Sequence, residues 1–98
     1  MTLNKIRYDL KQIRYIHSMT VTKTPGKRVI ISKTMESLLK KYAEAMEKAP
    51  VRLYTLFNGL YVECKTQKEL ALEWGCSEGY IKLLSKQLCQ YLQSVMTG

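Results

Sequence analysis

One histidine, three cysteines, two prolines and a single tryptophan are spread over 98 residues, and each shortage removes a class of chemistry. With His17 alone, neither a catalytic triad, a Cys/His dyad nor an HExxH-type metal site can be assembled. Near the end of a helix such a residue reads as structural. Cys64, Cys76 and Cys89 are odd in number, widely spaced and without a neighbouring histidine, so they form neither a disulfide framework nor a zinc site. They are expected as reduced, partly buried thiols. No glycine-rich loop is present to cradle a phosphate, and no paired carboxylates fall on one face of a cleft. No enzyme activity, metal or cofactor is therefore expected. No apolar run approaches the roughly 18 residues that a membrane span needs. The start M-T-L-N-K-I-R has no apolar stretch after its charges, so no signal peptide is expected and the cytoplasm is the expected location.

Positive charge is in excess: 16 Lys+Arg against 8 Asp+Glu give +8. The excess is lopsided. Residues 1–49 hold eleven basic side chains against four acidic ones, +7, whereas residues 50–98 hold five against four, +1. Such a surface suits a phosphate backbone, and it equally suits plain solvation.

The apolar periodicity predicts an all-α single domain. A first helix over about Leu3–Ser18 puts Leu3, Ile6, Leu10 and Ile13 on one face, with Lys5, Arg7, Lys11 and Arg14 around the other. Tyr8, Tyr15 and Ile16 widen its apolar side, toward the rest of the domain or a second copy. Residues 20–31 change to β-branched side chains about Pro25-Gly26, which reads either as a short hairpin or as a basic loop. Lys23, Lys27 and Arg28 at its tip are candidates for a phosphate backbone. A second helix begins after Ser32 or Thr34 and runs to Lys48, with Met35, Leu38, Leu39, Tyr42, Ala43 and Met46 inward. Ala49-Pro50 stops it. Pro50 then opens a third helix to about Tyr61 that buries Leu53, Leu56, Phe57 and Leu60.

The most specific pattern is T-Q-K-E-L-A-L-E-W-G-C-S-E-G-Y-I-K-L-L-S-K-Q-L, from Thr66 to Leu88. Thr66 with Glu69 three residues on forms a capping box, which starts a helix at about Gln67. Leu70 and Ala71 face inward, Ala71 being small where two helices cross. Gly75 supplies the left-handed residue that ends the helix, Cys76 tucks inward, and Ser77 caps the next one. That last helix, 78–95, carries Ile81, Leu84, Leu88, Tyr91, Leu92 and Val95 as one apolar face. This is helix-turn-helix spacing; an ordinary antiparallel helix pair would share parts of it.

In a helix-turn-helix the early residues of the second helix reach base edges, and the start of the first crosses the backbone. Ser77, Glu78, Gly79, Lys82, Leu83 and Lys86 are therefore the base-reading candidates. Glu78 could accept from a cytosine amino group, Lys82 could donate to guanine and Leu83 could touch a thymine methyl. Gly79 weakens the helix but lets backbone approach DNA. Lys65, Thr66, Gln67 and Lys68 are the phosphate candidates at the first helix's positive end, and Tyr80 is open between a phosphate contact and packing. Trp74 and Phe57 occupy inward phases and read as core.

The block from Arg52 to Leu92, a little under half the chain, resembles the promoter-recognising C-terminal region of bacterial sigma factors. The segments Y-D-L-K-Q-I-R-Y and K-Y-A-E-A-M-E-K-A-P-V-R-L-Y look like short prophage-encoded regulators of Gram-positive bacteria, the sigma-like and ArpU-like late-gene activators. The resemblance implies a phage transcriptional regulator, with its final helix in the major groove of double-stranded DNA and RNA polymerase as a second partner. It departs from complete sigma factors, since nothing matches their regions that bind core polymerase and melt DNA. Two other functions use the same fold: a module that binds polymerase or another phage protein without reading DNA, and a small DNA-packaging (terminase-like) subunit. A homodimer would double the DNA contact, through either the first helix or the turns around Tyr91 and Val95.

Overall fold

The computed structural model describes residues 2–21 and 32–96. They form five α-helices with no strand among them: α1 (Leu3–Val21), α2 (Lys33–Met46), α3 (Val51–Phe57), α4 (Gln67–Trp74) and α5 (Glu78–Met96). None is long and apolar enough to cross a membrane. Thr20 and Val21, expected to begin the hairpin or loop at 20–31, instead continue α1; the rest of that segment, with Lys23, Lys27 and Arg28, lies outside the described residues.

Most of the predicted stripes point inward. Ile6, Leu10 and Ile13 of α1, Tyr42 and Met46 of α2, Leu53, Leu56 and Phe57 of α3, Leu70 of α4, and Ile81, Leu84, Leu88 and Leu92 of α5 make one buried cluster. α5 is the central post, touched by α1, α2, α3 and α4. Ser32 is the cap that starts α2, its hydroxyl accepting from Met35 N–H at 3.2 Å. Pro50 stands just before α3 rather than within it.

Several expectations are corrected. Ala43 and Val95, expected to face inward, are exposed. Tyr8 and Tyr15 are each 57% exposed, so of the three residues expected to widen the apolar side of α1 only Ile16 is buried. The third helix is not uniform: after Phe57 the backbone widens into a π-helical turn, Asn58–Val62. Gly59 sits where this turn meets α4, and a Cβ there would fall 2.8 Å from Leu70 Cδ1. A methyl at this position would have to displace the end of the Leu70 side chain.

The wide turn leaves backbone carbonyls without helical partners, and Arg14 collects them. Its guanidinium donates to Leu60 O at 2.7 Å, Lys65 O at 2.8 Å and Cys64 O at 3.0 Å. In return Cys64 Sγ donates to Arg14 O at 3.4 Å, and Cys64 takes a left-handed φ of 60°. Arg14, expected on the solvent-facing basic side of α1, is thus a clamp at the base of α4. A second polar joint ties α1 to α2. Tyr42 is buried and donates to Asp9 Oδ2 at 2.8 Å, while Lys5 holds Asp9 Oδ1 at 3.0 Å. Burial and the Asp9 carboxylate both drive the Tyr42 phenol above its ordinary range, keeping it a neutral donor.

Candidate nucleic-acid interface

The unit α4–turn–α5 is built by local chemistry. Thr66 Oγ1 accepts from Glu69 N–H at 3.0 Å and Glu69 Oε1 accepts from Thr66 N–H at 3.2 Å, the full capping box. Gly75 ends α4 at φ 68°, with nothing within 4 Å of the position a Cβ would take, so the backbone angle and not space selects glycine. Ser77 Oγ accepts from Tyr80 N–H at 3.1 Å and starts α5. Ile81, Leu84 and Leu88 then anchor α5 by its inner face, with Leu70 and Ala71 buried across from them.

Anchoring that face leaves the other in solvent. Ser77, Glu78, Gly79, Lys82, Leu83 and Lys86 are all exposed, so the six base-reading candidates form one accessible strip. Leu83 is an apolar residue 51% exposed in the middle of it. A Cβ at Gly79 would meet only Ser77 Oγ, at 3.8 Å. Packing therefore does not require glycine there. Tyr80 is half-buried against the core, and the Arg52 guanidinium lies 5.9 Å from its ring centre. Arg52 was not among the sequence candidates and adds a cation beside the start of α5.

The phosphate candidates diverge. Thr66 is engaged in its cap, Lys68 is exposed and Gln67 is half-buried at the α4 N-terminus. Lys65 is bracketed by two carboxylates, Glu73 at 2.5 Å and Glu63 at 2.9 Å, and those contacts raise its pKa. Its charge is therefore matched locally before any partner arrives.

Beside the strip lies an open cleft of about 410 Å³, bounded by α1, the π-helical turn, the start of α4 and one flank of α5. Arg7 and Lys11 line it from α1, and Lys82 and Lys86 from α5; Gln67 and Ser85 complete its polar lining together with Tyr61 and Cys89. Among the described residues no carboxylate lines it. Burial lifts the Tyr61 phenol to about 12, against a smaller opposing pull from Arg14 and Arg7, so it remains protonated. Burial also raises the Cys89 thiol, opposed by the nearby Arg7 charge. Arg7 and Lys11 were not singled out from sequence as site residues. The available signal was two cations one helical turn apart with no acid one turn before or after either, a pairing that costs an isolated helix a few tenths of a kcal/mol. By contrast, Lys5 has Asp9 one turn on.

No group of three or more His, Cys, Asp or Glu side chains that could hold a metal occurs among the described residues. Comparison with protein families, curated proteins and solved structures finds no match for this chain.

Proposed function

We propose that this protein is a sequence-reading DNA-binding regulator of transcription, which seats the N-terminal half of α5 in the major groove and the start of α4 on the backbone. The observation that carries the reading is the capped α4–turn–α5 unit, whose second helix is fixed by Ile81, Leu84 and Leu88 and presents Ser77, Glu78, Gly79, Lys82, Leu83 and Lys86 to solvent. A helix held by one face, with short polar, charged and apolar groups on the other, meets the donor, acceptor and methyl pattern of major-groove base edges. The resemblance to the sigma-factor C-terminal region supports a promoter element as the target. Lys82 is the residue assigned to guanine, and Leu83 to a thymine methyl.

The test is binding to promoter-containing fragments from the protein's own genome neighbourhood and to scrambled DNA, at two salt concentrations. A sequence reader prefers the genomic fragment, and Lys82→Ala lowers that preference by about 1–3 kcal/mol. Equal affinity for both DNAs would sink the reading.

A second reading, a protein-binding module that recruits or blocks RNA polymerase, is favoured by one observation: Leu72 is 75% exposed and Leu83 51% exposed on the same two-helix unit. It predicts co-purification with polymerase after nuclease treatment, lost on Leu72→Ser.

A further inference from the structure

We infer that the cleft between α1 and α5 is a phosphate site, and that α1 is a part of the DNA interface through Arg7 and Lys11. The inference rests on the DNA reading above for its occupant, a backbone phosphodiester, but its chemistry stands on the cleft itself. Four cations from two separate helices, Arg7 and Lys11 against Lys82 and Lys86, line one concavity of about 410 Å³ without an acid among its lining residues. Bringing like charges together without a counter-charge is unfavourable, and an anion held between them reverses that sign.

Ser85 supplies an independent observation. Among the described residues its Oγ is the one buried side-chain oxygen or nitrogen with no hydrogen-bond partner, and Ser85 lines this same cleft. A buried hydroxyl without a partner is costly; this one is closed to solvent as it stands, and a turn about χ1 toward the cleft would let it donate to an oxyanion held there. The Tyr61 phenol, which also lines the cleft, is held neutral and so adds no negative charge. Gln67, at the first position of α4, brings the positive end of that helix to the rim.

The position of the cleft fits a DNA strand. A helix seated in the major groove is flanked on both sides by sugar-phosphate backbone, so whatever stands beside its outward strip meets a strand. Here α1 stands there. Lys82 and Lys86 lie both on that strip and in the cleft lining, which links base reading to backbone holding through the same two side chains. The arrangement also gives the basic N-terminal half a defined role in the interface, supplying positive charge that the nearly balanced second half lacks.

The experiment uses the full chain and the double variant Arg7→Gln/Lys11→Gln. Both side chains are exposed, so the variant is expected to keep the wild-type circular dichroism spectrum and melting midpoint. DNA affinity is measured against salt for the genomic fragment and for scrambled duplex. The expected result is an equal loss on both DNAs, about tenfold or more, with the log–log salt slope smaller by about 0.9 per phosphate contact removed. The pair Arg7→Lys/Lys11→Arg retains the slope. An unchanged affinity and slope in the glutamine variant overturns the inference while leaving the DNA reading intact. Wild-type protein that binds no duplex at all overturns the DNA reading instead, and the site is then decided by inorganic phosphate against chloride at equal ionic strength. A phosphate-dependent rise in melting midpoint that the glutamine variant loses supports a free-phosphate site; no rise in the wild type overturns the site.

Discussion

Two junctions flank α4, and they are held in opposite ways. On its far side, Gly75 and Ser77 turn the chain into α5 using only residues within a few positions of one another: a left-handed glycine and a serine cap. On its near side, the π-helical turn and Cys64 bring the chain into α4 through a contact from a different helix. Arg14 reaches three carbonyls that are 46, 50 and 51 residues away in sequence. One junction is written into its own residues. The other has local bonds too, Glu63 N–H to Asn58 O, Lys65 N–H to Gly59 O and the Thr66 capping box, but is completed by a side chain of α1.

The largest break in this comparison is expected at the clamp. Arg14→Met keeps the aliphatic stem but leaves three carbonyls without their charged donor, and part-buried groups left that way cost about 1–3 kcal/mol each before relaxation and water reduce the sum. A loss of about 3 kcal/mol in urea-denaturation stability is expected, and a loss under 1 kcal/mol would show that the near junction supports itself. Alkaline titration comes second. Tyr61 lies in the same π-helical turn, and its folded-state pKa of about 12 stands above the ordinary 10, so folding favours the protonated phenol. That contribution is complete below pH 10 and is lost as the pH rises toward 12, on the order of 2 kcal/mol. Urea midpoints taken at about pH 9 and about pH 11 should fall more for wild type than for Tyr61→Phe.

The far junction gives smaller, local effects. Gly75→Ala has room for its methyl but must hold φ 68°, at a cost of about 1–2 kcal/mol. Ser77→Ala removes the hydroxyl that caps α5 and is expected to cost about 1 kcal/mol, readable as a drop in melting midpoint with an unchanged spectrum. If Ser77→Ala proved as damaging as Arg14→Met, the contrast between the two junctions would be lost.

The same contrast explains what could be read in advance. The capping box, the left-handed Gly75 and the Ser77 cap were legible because each is a rule about neighbours, and the exposed strip on α5 followed from its 3.6-residue period. The widened turn, the φ of Cys64 and the inward role of Arg14 were not, since a guanidinium on an amphipathic helix looks the same whether it meets water or a carbonyl. Asp9 was hidden likewise. Its partner Tyr42 belongs to another helix, 33 residues on. At the candidate site, Lys82, Lys86 and Gln67 were found from their own motif, whereas Arg7 and Lys11 joined them only once the placement of α1 was known.

The Arg14 clamp also orders events in time. The α4–α5 pair has short-range contacts and a turn that nucleates from its own sequence, so it can close early. The clamp joins positions about fifty residues apart, and the entropy of closing such a loop must be met before any of its three hydrogen bonds forms. The footing of α4 is thereby expected late in folding, when the N-terminal helix returns to a helix pair already shaped without it.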